Sequence, residues 1–509
     1  MSDIVLATFN ARYIHTAFGL RYLLANLGPL QSRARVLEFD LQQRPVDVAE
    51  AILAEDPRIL GLGVYLWNVG PTTELVSVLK QIRPKLTIVL GGPEVSHEWD
   101  RQPAVARADY LITGEADIEF RNLCAELLRG RRPPGKLLQA TPPTFDQLAL
   151  PYALYSDTDI ANRILYVEAS RGCPFRCEFC LSSLDVPVRQ APVEVFLDAM
   201  AGLIRRGARH LKFVDRTFNM NLGVSRRILE FCLEHHRPGM LFHFELIPDR
   251  LPDELRQVIR RFPPGALQFE VGIQTFNEAV AERISRRQDN DAAEANLAWL
   301  RAETGAHIHA DLIAGLPGET LESFAAGFDR LVRLRPQEIQ VGILKRLRGT
   351  PIGRHDEEWG MVYNPQAPYE ILQNRLLDFR TVQRLKRFAR VWDLTANSGN
   401  FFETMSLLLT KPPSAFAAFL DWSDWLQARN HRTDAIALTR LVDLLWEYLT
   451  GMLGWESGLV AGTLLRDYQR TGRSDVPKVL QPHVRRGGRR ATPARRRVRL
   501  RQARHALLG

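Results

Sequence analysis

Cysteine is scarce. There are five in 509 residues, and the first 150 hold only Cys124. Three of the five, Cys173, Cys177 and Cys180, fall within eight residues. A secreted disulfide scaffold spreads its cysteines along the chain, so this spacing argues against that class. It points to a metal or cluster site in a reducing, cytoplasmic setting. Apolar runs of about 20 residues free of charge are missing, which argues against a membrane span. The opening MSDIVLATFN has no basic stretch ahead of an apolar one, as a secretion signal needs, and reads as a first β-strand. Acid is missing from Val484–His505, which carries ten arginines. Without those ten, 57 basic residues face 58 acidic ones. The net charge of +9 therefore belongs to the tail, and gives no reason to assign nucleic-acid binding to the body.

What is present alternates. Short apolar runs at Ile4–Ala7, Val36–Phe39, Ile59–Tyr65, Thr87–Leu90 and Tyr110–Ile112 are separated by helical patterns at Gly19–Leu27, Val46–Leu53 and Thr73–Gln81. This is the rhythm of a doubly wound parallel sheet over residues 1–135. Paired prolines mark 136–160 as a linker. The rhythm resumes over 161–355, with strands expected at Ile164–Ala169, His210–Val214, Leu241–Leu246, Leu267–Ile273, His307–Ile313 and Glu338–Leu344. Six units are too few for a full eight-unit barrel and suit a partial (β/α) barrel with its site at the carboxyl ends of the strands. Residues 361–480 read as a small α-helical domain, with helices expected at Ile371–Trp392 and Ala435–Leu453. The Arg-rich 484–509 is expected to be a disordered tail.

The segment VEASRGCPFRCEFCLSS spaces its cysteines Cys173-x3-Cys177-x2-Cys180. Three thiolates on one loop hold three irons of a [4Fe–4S] cube and leave the fourth open to a small chelator. Structural zinc wants four ligands, and no fourth Cys or His lies nearby; Cys124 and Cys232 sit in helical patterns as core residues. The spacing, with Phe179 before the last cysteine, resembles the radical S-adenosylmethionine (SAM) superfamily. The resemblance implies that the open iron binds SAM, and that one electron splits SAM into methionine and a 5′-deoxyadenosyl radical. It also implies an external electron donor such as flavodoxin or ferredoxin. By the same resemblance, Asp215 and Asn219 of KFVDRTFN, Glu245 of FHFELIPD and Gln274 of FEVGIQTFN stand at strand ends that face SAM. Asp311, Ile313, Gly315 and Glu319 of DLIAGLPGET match the segment that lines the adenine side. The family's Gly-Gly-Glu is absent.

Residues 1–130 resemble the cobalamin-binding domain that precedes many radical SAM domains. Gly63 and Tyr65 stand where that family has Ser-x-Leu. Gly91-Gly92-Pro93-Glu94 begins 28 residues after Gly63, and Gly114-Glu115 follows the next strand. The resemblance implies cobalamin contacts at these positions. The Asp-x-His-x-x-Gly signature of a histidine lower ligand is absent: RYIHTAFG puts Tyr13 where Asp would be, and Gly19 comes one residue late after His15. His15 is therefore expected to be a loop or core residue.

The segment VQRLKRFARVWDLTANSGNF resembles an uncharacterised domain that follows this pair in bacterial proteins. Arg384, Lys386, Arg387 and Arg390 form a basic helix face there, expected to be solvated. Trp392, Asn397 and Asn400 are candidates to reach toward the active site. The tail is a candidate contact for nucleic acid or anionic surfaces through phosphate pairing. Taken together, the expectation is a cobalamin-dependent radical SAM enzyme that methylates an unactivated carbon of an unknown substrate. The alternatives are cobalamin-associated rearrangement, cyclisation or oxidation, and a cobalamin- or redox-sensing regulator. A methylthiotransferase needs three further N-terminal cysteines for a second cluster, and the chain lacks them.

Overall fold

The computed structural model describes residues 2–185, 187–410, 413–430, 433–483, 502 and 505. The chain divides into two compact units. The first comprises Met1–Glu245, Lys345–Arg354 and Tyr363–Glu370; the second comprises Leu246–Leu344, His355–Val362 and Ile371–Gly509. The expected barrel segment 161–355 is thus shared between the units instead of forming one of its own.

The first unit opens with a parallel sheet of β1 (Ile4–Asn10), β2 (Ala34–Asp40), β3 (Ile59–Gly63), β4 (Thr87–Gly91), β5 (Tyr110–Thr113) and β6 (Leu137–Gln139) in the order β2-β1-β3-β4-β5-β6. Between them run α1 (Phe18–Ala25), α2 (Pro45–Ala54), α3 (Val69–Ile82), α4 (Pro103–Arg107) and α5 (Asp117–Leu128). Every residue of β1 is buried, as a strand covered on both faces requires. Alternation sends Val5, Ala7 and Phe9 into one layer with Val48, Ile52 and Leu79, and Ile4 and Leu6 into the other with Leu20, Phe120 and Cys124. Each fully buried Ile or Leu adds about 1.5–3 kcal/mol. β6 lies inside the expected linker. It pairs parallel with β5, so the prolines flank a short strand instead of excluding structure.

The second run of strands begins in the first unit with β7 (Leu165–Val167), the two-residue pair β8 (Ser170–Arg171) and β9 (Arg189–Gln190), β10 (His210–Phe213) and β11 (Leu241–Leu246). β10 pairs parallel with both β7 and β11. In the second unit β12 (Leu267–Gln274), β13 (His307–Ala314) and β14 (Glu338–Ile343) pair parallel in sequence order. Four of the intervening helices start at side-chain caps. Asn221, Asn277, Asp289 and Thr320 each accept from the backbone N–H three residues on, worth about 1 kcal/mol apiece.

The second unit ends in helices at Phe379–Thr395, Phe402–Thr410, Ala415–Asn430, Leu438–Glu447 and Ser457–Arg470. The helix expected from Ile371 starts later. Ile371–Gln373 is a short strand, and Asp378 caps the helix by accepting from Thr381 N–H. Phe328 of the helix after β13 packs edge-on against Phe388 and Trp392, with centroids 5.0 and 4.8 Å away. The expectation that Trp392 and Asn397 reach toward the strand carboxyl ends is corrected here. Trp392 is buried in that aromatic cluster, and Asn397 brackets the main chain of Ile339 at the amino end of β14, with both bonds 2.9 Å. Arg384 and Arg387 pair with Asp424. The tail 484–509 lies outside the described residues except for two positions. Gln502 bonds Gln268 at 2.9 Å, and buried His505 bonds the Asn397 carbonyl at 3.0 Å. Among the described residues no helix is long and apolar enough to cross a membrane.

Candidate functional site

In the doubly wound order found here, ligands sit beyond the carboxyl ends of the strands where the winding reverses. The first unit has a cavity of about 370 Å³ at that place, within the range of small-molecule sites. Gly61 and Gly63 of β3, Gly91 at the end of β4 with Gly92 after it, and Gly114 after β5 form one wall, with Gly19 and Tyr22 of α1 and Phe120 of α5 opposite. Gly92 has φ +112°, and a Cβ there would stand 2.4 Å from the Val64 carbonyl oxygen, so only glycine fits. Tyr65 also lines the cavity, its ring stacked on Trp67 with centroids 4.6 Å apart. Of the expected cobalamin contacts, Gly63, Tyr65, Gly91, Gly92, Gly114 and Glu115 line this cavity, whereas Pro93 and Glu94 do not. The glycine-walled cleft has the shape a bulky cofactor tail needs.

The rest of the wall comes from the cysteine loop. Ser170, Arg171, Gly172, Ser182 and Asp185 line the same cavity. The loop is fixed by its main chain: the Cys173 N–H donates to the Asp185 carbonyl at 2.9 Å, and Gly172, at φ +95°, passes so close to Asp185 and Pro187 that a Cβ would lie 2.9 and 2.8 Å from their carbonyl oxygens. Cys173 and Cys177 are buried and Cys180 half-buried. Burial raises the Cys173 thiol above its ordinary pKa, and Cys180 and Cys177 push the same way, so the three sulfurs share one neighbourhood. Among the described residues no three His, Cys, Asp or Glu side chains close around a single ion. Cys124 and Cys232 are fully buried in helices.

Charge ties the loop to the glycine wall. Arg171 donates through Nη1 to Glu115 and Asp117 at 2.8 and 2.9 Å and through Nε to Glu168 at 2.9 Å. Its guanidinium lies 4.5 Å over the Tyr22 ring. Arg189 stands opposite Arg171 in the β8–β9 pair. Two like charges so placed repel, and Glu115 offsets this by accepting from both, with Arg189 Nη1 at 3.0 Å. Burial alone would raise the Glu115 pKa; the Arg189 and Arg171 guanidiniums overcome it and hold the carboxyl below its ordinary value. Burial pushes Glu168 up to about 7, against the opposing pull of Arg171. The sequence reading missed Arg171, Arg189, Asp117 and Glu168. An arginine immediately before the Gly-Cys of the loop was the available signal.

The expected SAM contacts divide between the units. In the first, Asp215 is 2% exposed and accepts from Ala169 N–H at 3.2 and 3.0 Å and from the Ser170 hydroxyl at 2.6 Å. Its carboxylate thus braces the chain leading into the cysteine loop. Burial raises its pKa to about 6. Asn219 is buried beside it in a short 3₁₀ turn. Glu245 takes Arg216 Nη1 on both oxygens at 2.9 and 3.1 Å, and Arg216 reaches the cavity. In the second unit Gln274 ends β12 with a left-handed φ of +69°. Asp311 lies 3.2 Å from His309, which the register sets between Glu270 and Glu338. Burial opposes charge on His309, but Asp311, Glu338 and Glu270 outweigh it and raise its pKa to about 9. Ile313 follows on the same strand face. Gly315 comes next at φ +95°, and Glu319, 2% exposed, accepts from the Thr275 hydroxyl at 2.6 Å. His15 is not part of the cavity wall.

Three family models match the chain in order: the B12 binding domain over residues 4–124, the radical SAM superfamily over 167–331, and a protein family of unknown function, DUF4080, over 357–497. The chain carries a B12 binding domain followed by a radical SAM domain. Its cofactors are a [4Fe–4S] cluster, SAM and cobalamin. An uncharacterised methyltransferase of Pyrococcus horikoshii is 24% identical over 55% of this chain and 65% of its own length. The cobalamin-dependent radical SAM methyltransferase TokK of Streptomyces tokunonensis is 22% identical over 64% and 52%. The ribosomal protein uS12 methylthiotransferase RimO of Trichlorobacter lovleyi is 27% identical over 36% and 43%. The chain thus spans between 43% and 65% of the length of these curated relatives. Among solved structures, the radical SAM methyltransferase TsrM of Kitasatospora setae with tryptophan and a SAM analogue bound covers 74% of this chain and 80% of its own. Its TM-score is 0.60 at 16% identity, a likeness of fold.

Proposed function

We propose that this radical SAM protein transfers a methyl group from SAM to an unactivated carbon, with cobalamin as the methyl carrier. What carries the reading is one cavity whose wall joins the glycines assigned to cobalamin with Ser170, Arg171, Gly172, Ser182 and Asp185, which flank the Cys173–Cys180 segment. When bound, the cluster supplies the electron that splits SAM and cobalamin supplies the methyl carrier. The chain's own residues provide placement. Cys173, Cys177 and Cys180 hold three irons and leave the fourth for SAM. Asp215 fixes the strand end before the loop. Arg171 and Arg189 lock that loop to Glu115 on the cobalamin side. Gly63, Gly91, Gly92 and Gly114 leave the room the cofactor occupies. Asn219 and Glu245, in the same unit as the cysteine loop, are assigned to SAM.

A methylthiotransferase, the activity named for RimO, needs a second cluster. Cys124 is the sole cysteine of the first 150 residues and is buried in the core, which argues against that reading. The test uses anaerobically reconstituted protein, methyl-labelled SAM and metabolite extracts from cells lacking the gene. Label in a product heavier by one CH2, with one S-adenosylhomocysteine and one 5′-deoxyadenosine per product, supports methyl transfer. 5′-Deoxyadenosine without S-adenosylhomocysteine or product label supports rearrangement, cyclisation or oxidation instead.

A further inference from the structure

The segment after β14, Lys345–Arg354, belongs to the first unit and grips two loops assigned to different cofactors. At one end Arg348 donates through Nε to Glu94 and through Nη1 to Glu98, both at 3.0 Å. Glu94 also accepts from the Tyr369 hydroxyl at 2.6 Å, and that hydroxyl accepts from Arg348 Nη2 at 3.0 Å. Carboxylate, phenol and guanidinium close a triangle. At the other end the Ile352 N–H donates to the Glu178 carbonyl at 3.1 Å, and Arg354 pairs with the Glu178 carboxylate. Between them Gly349, at φ +81°, passes so close to His97 that a Cβ would stand 2.4 Å from its ring.

The grip falls on particular residues. Glu178 follows Cys177 directly, two positions before Cys180, and Glu94 ends the Gly91-Gly92-Pro93-Glu94 turn whose glycines line the cavity. Both carboxylates are nearly fully buried, at 2% and 4% exposure. A buried carboxylate stripped of its partner costs far more than a surface ion pair contributes. These contacts therefore fix geometry in a way surface pairs do not.

We propose that Arg348 and Arg354 are positioning residues that set the spacing between the cluster loop and the cobalamin cleft. The proposal rests on the assignment of those two sites made above. Cleaving SAM needs only the cluster loop in order, whereas methyl delivery needs both sites held at one separation. Loosening the strap uncouples the two.

The full chain, loaded with cluster and cobalamin, is compared with Arg348→Gln, Arg354→Gln and Tyr369→Phe. Pulsed electron paramagnetic resonance reads the magnetic coupling between cobalt(II) and the reduced cluster, and iron and cobalamin contents are measured alongside. A broader distance distribution in the arginine variants at full loading, with a smaller broadening in Tyr369→Phe and partial recovery in Arg348→Lys, is the expected result. If the arginine variants fail to load, Tyr369→Phe, which removes one hydroxyl, carries the comparison. An unchanged distribution at full loading overturns the proposal. A wild-type chain that loads only one cofactor overturns the cofactor assignment, and this proposal with it.

Discussion

Nδ1 of His15 lies 2.6 Å from the hydroxyl of Tyr166, and the two rings stack with centroids 6.1 Å apart. Burial lowers the imidazole pKa, helped by Lys212 and Arg12. The imidazole is already bonded to Tyr166 and lies outside the cavity wall. His15→Ala is therefore expected to leave the cobalt(II) resonance of the bound cofactor unchanged. A nitrogen splitting that disappears in this variant would show His15 to be the lower ligand.

The three loop cysteines are expected to act as a set. Ala at Cys173, Cys177 or Cys180 should abolish the cluster and 5′-deoxyadenosine formation, because two thiolates leave a second iron uncovered. Cys124→Ala and Cys232→Ala should keep iron content and activity and cost about 1–2 kcal/mol each, as small cavities in the core do. Anaerobic iron analysis and product counting check both halves; full activity in all three loop variants would sink the cluster assignment.

Arg171 is 12% exposed and serves three carboxylates. Arg171→Gln leaves Glu168 and Asp117 short of a partner, a loss of about 3 kcal/mol for a buried pair. For a domain of this size that lowers Tm by about 6–12 °C. Arg171→Lys should recover only part, since an ammonium cannot reach Glu115, Asp117 and Glu168 as the guanidinium fork does. Thermal unfolding of the two variants measures this, and equal Tm for Lys and wild type would count against it.

Burial raises Glu319 to about 7, partly opposed by the hydrogen bond from Thr275. Its folded pKa is above its unfolded one. The stability it contributes is complete below about pH 4.5 and is lost as pH rises through about 7. Glu319→Gln keeps an acceptor for Thr275 and removes the titration. Tm of this variant should match wild type near pH 5 and exceed it at pH 8. A parallel pair of Tm–pH curves would refute the assignment.

Much of the architecture was readable because hydrophobic period and strand length agree in buried parallel sheets. Leu241–Leu246 was found at its own boundaries. Short, two-sided elements were not readable: Leu137–Gln139 is hidden between prolines, and Ile371–Gln373 merges by periodicity with the helix that Asp378 starts. The cysteine loop announced itself through local spacing. Arg171 did not, because its partners Glu115 and Asp117 lie 56 and 54 positions away, and a salt-bridged cluster leaves no periodic trace. Glu94 shows the opposite difficulty. Its motif points to the cofactor cleft, yet its carboxylate faces Arg348 and Tyr369, 254 and 275 positions away in sequence.

The first unit is discontinuous along the chain, closing only with Lys345–Arg354 and Tyr363–Glu370. During synthesis Glu245 leaves the peptidyl-transfer centre 125 residues before Glu370 does, an interval of about 6–25 s at ribosomal speed. Through that interval the nascent cysteine loop and the glycine turn are made but unstrapped, with Glu178 and Glu94 still without their arginines. The last step in assembling this unit therefore waits until Glu370 has been made. A stop codon anywhere between 246 and 345 yields a fragment that keeps Cys173, Cys177 and Cys180 but lacks Arg348 and Arg354.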